Sequence, residues 1–215
     1  QNGGVVAVGA SPGSISFSHH YTQTHTGQLL VELAGLPPGT QHDEITVAGT
    51  ATLNGSLQVS LIDGFVPVAG DYFDILTAGT VSGSFATDDL PLAVPSACIA
   101  SAYLPAAVRL MTLEGPAIVQ QPLSENVCVA DTLLLSVGAT GDSLSFEWRK
   151  EGVPIPGANG PQFENARAAE SDSGSYPVLV ANACNAIESA AAVVTVSQSL
   201  TITQQPSSQV VCAGA

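Results

Sequence analysis

The chain has 215 residues with Lys+Arg 4 against Asp+Glu 18, a formal net charge of -14 and a pI ≈ 4.2. A surface of that sign repels nucleic-acid phosphates and anionic lipid, so neither is an expected partner, and no run of about 18 apolar residues is present to form a membrane-spanning helix. Charged residues make up only 10% while Gly (21) and Pro (14) are plentiful, a balance that favours strands over helices. No leader segment is visible, so an exported chain would have lost it or carry it upstream.

In chain order, strands are expected at 15–18, 29–33, 44–47, 57–62 and 72–77, with a late one at 108–113. Leu29, Val31 and Leu33 share one face, as do Leu57, Val59 and Leu61, and Phe73 with Ile75. Turn signals separate them: Ser11-Pro12-Gly13, Pro37-Pro38-Gly39, Asn54-Gly55, Asp63-Gly64 and Ala69-Gly70-Asp71. The first five recur roughly every fourteen residues, the rhythm of half-turns in a β-solenoid, although a jelly roll or another sandwich would alternate in the same way. A solenoid end exposes unpaired strand edges, and the stretch 90–113 would be its cap. Glu114-Gly115-Pro116 then reads as a short, stiff linker.

Beyond the linker the strands shorten. Leu133, Leu135 and Val137 alternate, Gly141-Asp142 turns, and Leu144, Phe146 and Trp148 alternate again. Asp172-Ser173-Gly174-Ser175-Tyr176 leads into Val178 and Val180, and a last strand spans 187–196. The phrase at 120–130, opening Gln120-Gln121-Pro122 and holding Cys128, returns at 204–214 with Cys212, an offset of 84 residues. That is about the length of one small β-sandwich, so the chain reads as a slice of a modular array. The expected organisation is a solenoid end module at 1–113, a sandwich at 114–198, and the first strand of a following repeat at 199–215.

Two resemblances carry this further. Gln120-Gln121-Pro122, Trp148-Arg149-Lys150 with Gly152, Ile155-Pro156-Gly157-Ala158, the Asp-x-Gly-x-Tyr run at 172–176 and Val180-x-Asn182 resemble bacterial immunoglobulin-like domains. The resemblance implies that Trp148 is the buried core tryptophan and Tyr176 a tyrosine corner, with Asp172 and Gly174 shaping the turn into it. Tyr21-x-Gln23, Gly27-Gln28-Leu29, Val31-Glu32-Leu33-Ala34-Gly35, His42-Asp43, Val47-Ala48-Gly49-Thr50-Ala51, Gly70-Asp71-x-Phe73 and Gly83-x-Phe85 resemble the C-terminal end of right-handed β-helices in bacterial autotransporter-like and giant surface proteins. In that resemblance His42-Asp43 is a structural turn feature. The expected fold class is all-β: a parallel β-helix end module followed by an immunoglobulin-like sandwich.

Antibody domains place a disulfide between two central strands, where this chain has Val137 and Val178. Its cysteines are Cys98, Cys128, Cys184 and Cys212. No Cys-x-x-Cys pair suggests zinc or redox chemistry, so a disulfide in an oxidising compartment is expected. Cys128 on the edge strand and Cys184 past the strand of Tyr176 are expected to pair, two buried free thiols being the alternative. Cys212 repeats Cys128 and would find its partner in the next domain. A bond from Cys98 to Cys212, within or between chains, and a buried lone Cys98 both stay open.

No catalytic constellation emerges. His19 and His20 point to opposite faces of a strand, whereas His20 and His25 can meet across a turn; a metal site there or simple surface exposure are the two readings. Asp71, Asp74, Asp88, Asp89, Glu170 and Asp172 offer carboxylates for calcium, but without an Asp-x-Asp-x-Asp-Gly loop they read first as solvated charges, so no cofactor is assigned. All histidines precede residue 43 and no Gly-x-Ser-x-Gly elbow occurs, which speaks against hydrolysis. Asn54-Gly55-Ser56 fits a glycosylation acceptor but is first a tight turn. The resemblances imply a non-catalytic, extracellular or bacterial cell-surface stalk, adhesin or filament segment. Its partners would be neighbouring copies or modules, with host or glycan ligands a further class, and the terminal strand at 201–212 would assemble by β-strand addition. The competing reading is a glycan-binding accessory module of a secreted polysaccharide-degrading enzyme. It would need Tyr21, Tyr72 or Tyr103 as sugar platforms.

Overall fold

The computed structural model describes residues 1–9, 12–91, 97–198 and 202–208. Among these, every regular element is a strand except one 3-10 turn, Glu170–Asp172. By packing, the chain divides into two compact units. The first holds Gln1–Val119 with Ala139–Ser145 and Val180–Ile187; the second holds Gln120–Gly138, Phe146–Leu179 and the chain from Glu188 onward.

The first ten strands are β1 (Val5–Ala7), β2 (Ser14–Phe17), β3 (Tyr21–Thr22), β4 (Gln28–Leu33), β5 (Glu44–Leu53), β6 (Ser56–Leu61), β7 (Tyr72–Gly83), β8 (Thr87–Asp89), β9 (Ala97–Leu104) and β10 (Ala107–Glu114). They are dealt alternately into two sheets. β1, β4, β6 and β8 form one, each parallel to its neighbour. In the other, β2 and β3 pair with β5, and β5 with β7, again in parallel. Parallel register sets equal phases side by side, so the alternation in the sequence becomes ladders: Leu29 on Leu57, Val31 on Val59 and Leu33 on Leu61. These residues join Ile45, Phe73, Ile75, Leu76, Val108 and Leu110 in one apolar core.

The parallel run ends in an antiparallel hairpin. β9 and β10 pair from Leu104–Ala107 out to Ala97–Glu114, and β10 pairs antiparallel with β7. β5 and β7 run further than their sequence patterns suggest. The register shifts between Val47 and Thr50, and Gly49 absorbs the irregularity. A Cβ on Gly49 would sit 2.5 Å from the His19 carbonyl oxygen, so only glycine tolerates this approach.

The remaining strands are β11 (Ala117–Gln120), β12 (Glu125–Cys128), β13 (Leu133–Ser136), β14 (Gly138–Thr140), β15 (Ser145–Lys150), β16 (Val153–Pro154), β17 (Gln162–Asn165), β18 (Gly174–Tyr176), β19 (Val178–Ala181), β20 (Ala186–Glu188) and β21 (Ala192–Ser197). They pair as β12–β21–β18, β13–β17, β16–β15–β19–β20 and β11–β14. Alternate residues turn inward: Leu133 and Leu135, Val178 and Val180, and Ala192, Val194 and Val196 are all buried. Trp148 is fully buried and its Nε1–H donates to the Gly160 carbonyl at 3.0 Å. The Tyr176 hydroxyl donates to the Asp172 carbonyl at 2.6 Å, closing a tyrosine corner. Val137 and Val178 are both buried. This is an immunoglobulin-like sandwich. Residues 202–208 form no strand and are exposed; 199–201 and 209–215, with Cys212, lie outside the described residues.

Candidate functional site

Cys98 lies on β9 opposite Leu113 of β10. Cys184 lies in the turn between β19 and β20, with its Sγ 3.6 Å from the Leu113 carbonyl oxygen. The two cysteines are joined in a disulfide with Cα atoms 5.4 Å apart, at a sequence separation of 86. Polar contacts fix the turn. Asn182 Nδ2 donates to the carbonyls of Glu114 (2.8 Å) and Asp142 (2.9 Å), and Asn182 Oδ1 accepts the Cys184 N–H at 2.9 Å. The Asp142 carboxylate accepts the Glu114 N–H at 2.7 Å.

This bond corrects the expected pairing of Cys128 with Cys184. Cys128 ends β12 in register with Ser197 and is a free, half-buried thiol. Gly174 lies level with Val194, and the chain then runs through β18 and β19 to Ala181, away from Ser197. The Cys184 sulfur is committed to Cys98 and is not available to Cys128. A disulfide needs Cα atoms within about 7 Å.

The other singled-out residues serve local structure. His19, His20 and His25 are exposed, and His20 Nδ1 accepts the Thr50 N–H at 2.9 Å. Among the described residues no three His, Cys, Asp or Glu side chains gather as a metal site. Asp43 is buried and accepts the N–H groups of Gly13 (2.8 Å) and Glu32 (2.9 Å), stitching neighbouring segments together. Burial pushes its carboxyl pKa up, against the pull of those two donors. His42 is also buried; Nδ1 faces the Gly35 carbonyl at 3.3 Å, Nε2 has no partner, and burial pushes its pKa down. Asp172 caps its own turn, accepting Ala169 N–H at 2.8 Å and Asn165 Nδ2 at 2.9 Å. Gly174 leaves room for Glu151, whose Oε1 would lie 2.8 Å from an added Cβ. Asp88 holds Ser101 and the Tyr103 hydroxyl, while Glu170 and Asp89 are exposed.

The three tyrosines weighed as platforms separate clearly. Tyr21 is buried, with its hydroxyl on Gln23 Oε1 at 2.7 Å. Tyr103 packs against Phe85 and its hydroxyl is taken up by Phe85 N–H and Asp88. Tyr72 is 57% exposed and borders two cavities, of about 410 Å³ and 380 Å³. The Arg109 guanidinium lies 4.3 Å from its ring centroid and is anchored by two bonds to Asp74, at 2.7 and 2.9 Å. That pair raises the Arg109 pKa further. Arg109 and Asp74 are cross-strand partners of β10 and β7, a pairing no linear motif announces.

No family model matches the chain. It is 38% identical over 69 residues to a decoration protein of Escherichia phage T5, a match covering 30% of this chain and 42% of that protein. The chain therefore spans less than half the length of this curated relative. Among solved structures, similarity extends to a titin M10–obscurin-like 1 immunoglobulin complex (23% identity, 40% of this chain and 98% of that chain, TM-score 0.37). It extends also to Sidekick-1 immunoglobulin domains 1–5 (16% identity, 49% and 30%, TM-score 0.37).

Proposed function

We propose that this chain is a non-catalytic structural module displayed outside the cell or on a particle surface, where it acts as a rigid β spacer. The observation that carries the reading is the Cys98–Cys184 bond, because such cross-links persist in oxidising compartments. The partial likeness to a phage decoration protein supports the same setting. In this reading the two interleaved parallel sheets are turns of a β-helix end module, and the antiparallel β9–β10 hairpin covers its last edge. The immunoglobulin-like sandwich adds a second β module, and the phrase of 120–130 that returns at 204–214 marks a modular array.

Antibody labelling of intact native cells or particles tests the reading, combined with peptide mapping of the cysteines in the same material. Labelling without permeabilisation and an oxidised Cys98–Cys184 pair are expected. Labelling only after the particles are opened, with both cysteines as thiols, would sink it. The same protein tests assembly through the terminal segment: oligomers in analytical ultracentrifugation that vanish when 199–215 is deleted support strand addition, and a monomer at every concentration rejects it.

A further inference from the structure

We propose that Tyr72 and the two cavities beside it form a binding site for a saccharide that carries no negative charge, a site independent of the spacer reading above. Both cavities share Gly70, Asp71 and Tyr72, so the ring stands between them on one continuous surface. Their sizes fall in the range of small-molecule sites. An aromatic ring left 57% exposed is usually mobile, but this one is held by the Arg109 guanidinium, itself clamped bidentately by Asp74. A ring fixed in advance loses little entropy when a ligand stacks on it. The apolar face of a pyranose ring suits such a platform.

The polar lining selects the rest of the ligand. Glu44 and Asp74 line the first cavity, Glu114 and Asp142 the second, and Asp71 both. Part of this acceptor capacity is already used: Asp74 holds Arg109, Asp142 holds the Glu114 N–H, and Asp71 holds the Val68 N–H at 2.8 Å. The Glu44 and Glu114 carboxylates remain to accept from a ligand. The site therefore offers acceptors and one aromatic face. It calls for a ligand rich in O–H or N–H donors with an apolar face, and its carboxylates repel uronates and phosphates. Neutral and amino-bearing saccharides share that chemistry.

Isothermal titration of the full chain at neutral pH and low salt tests this, with cellotetraose, a fully deacetylated chitosan tetramer and tetragalacturonate as probes. Binding of the neutral or the amino tetrasaccharide is expected at about 0.1–1 mM, with at least a tenfold loss in Tyr72→Ala and retention in Tyr72→Phe. Chitosan binding that falls steeply with salt assigns the affinity to ammonium groups on the carboxylates; salt-insensitive binding of both sugars assigns it to stacking. Tyr72 is exposed, so an unchanged circular dichroism spectrum checks that the variant folds. No heat with either sugar at 10 mM, unchanged affinity in Tyr72→Ala, preference for tetragalacturonate, or binding of tetralysine but no sugar would each overturn the proposal.

Discussion

Opening the Cys98–Cys184 bond is the sharpest test of the fold. The bridge closes a loop of 86 residues. In the chain-entropy model a loop of that length restrains the unfolded chain by about 4.5 kcal/mol. Cys98→Ser and Cys184→Ser should each lose that amount, equivalent to a fall in Tm of roughly 10–20 °C for a domain of this size. The double variant should match either single one, because both remove the same bond. Cys128→Ser, at a free and half-buried thiol, should cost less than about 1 kcal/mol. Urea unfolding followed by circular dichroism, with and without reductant, measures all four. Cleavage after glutamate supplies the chemical proof, since Glu44, Glu114, Glu125, Glu147, Glu170 and Glu188 put each cysteine on a separate peptide. A cross-link between peptides 45–114 and 171–188 is expected. A link from 126–147 to 171–188, together with a large loss in Cys128→Ser and none in Cys98→Ser, would refute the reasoning and restore the pairing read from the sequence.

Tyr176→Phe deletes the hydroxyl that serves the Asp172 carbonyl and should cost about 1–2 kcal/mol, read from the fluorescence of Trp148; a change below about 0.3 kcal/mol would deny the corner its energetic weight. Gly49→Ala drives a methyl against the His19 carbonyl and should cost about 1–3 kcal/mol in urea unfolding, whereas a neutral result would mean that β5 can shift there. The His42 pKa is lowered by burial, so between its ordinary value near 6.5 and its lowered folded value the unfolded chain binds the proton first. Stability should therefore fall on acidification through that window, by up to about 1.4 kcal/mol per pH unit. Asp43 has the opposite sign: its folded pKa is raised, so its contribution is present below 3.8 and is lost as pH rises through the folded value. The difference between wild type and His42→Gln isolates the histidine, and parallel pH profiles for the two proteins would exclude it.

What the sequence made legible follows from which interactions are local. Leu29, Val31 and Leu33, then Leu57, Val59 and Leu61, announce strands because one buried face imposes a period of two, and both runs appear as β4 and β6. Trp148 and Tyr176 were legible because each sits in a short motif whose geometry is nearly fixed by its own neighbours, such as the separation of four positions from Asp172 to Tyr176. β9 stayed hidden: Ala97, Ala100 and Ala102 carry little hydrophobic signal, and pairing with β10 across the turn at Pro105-Ala106 makes the strand. The cysteine pairing was hidden for a deeper reason. A bond across 86 residues depends on the register of β9 against β10 and on where the turn at 182–185 closes, and neither leaves a trace in the spacing of cysteines. The 84-residue repeat even points the wrong way, because it couples Cys128 to Cys212 by sequence while Cys184 reaches back before the repeat begins, to Cys98. The Tyr72 surface belongs to the same class. Arg109 and Asp74 are 35 residues apart and become a clamp only when β7 and β10 pair, so a site built from them is a property of the fold and not of any motif.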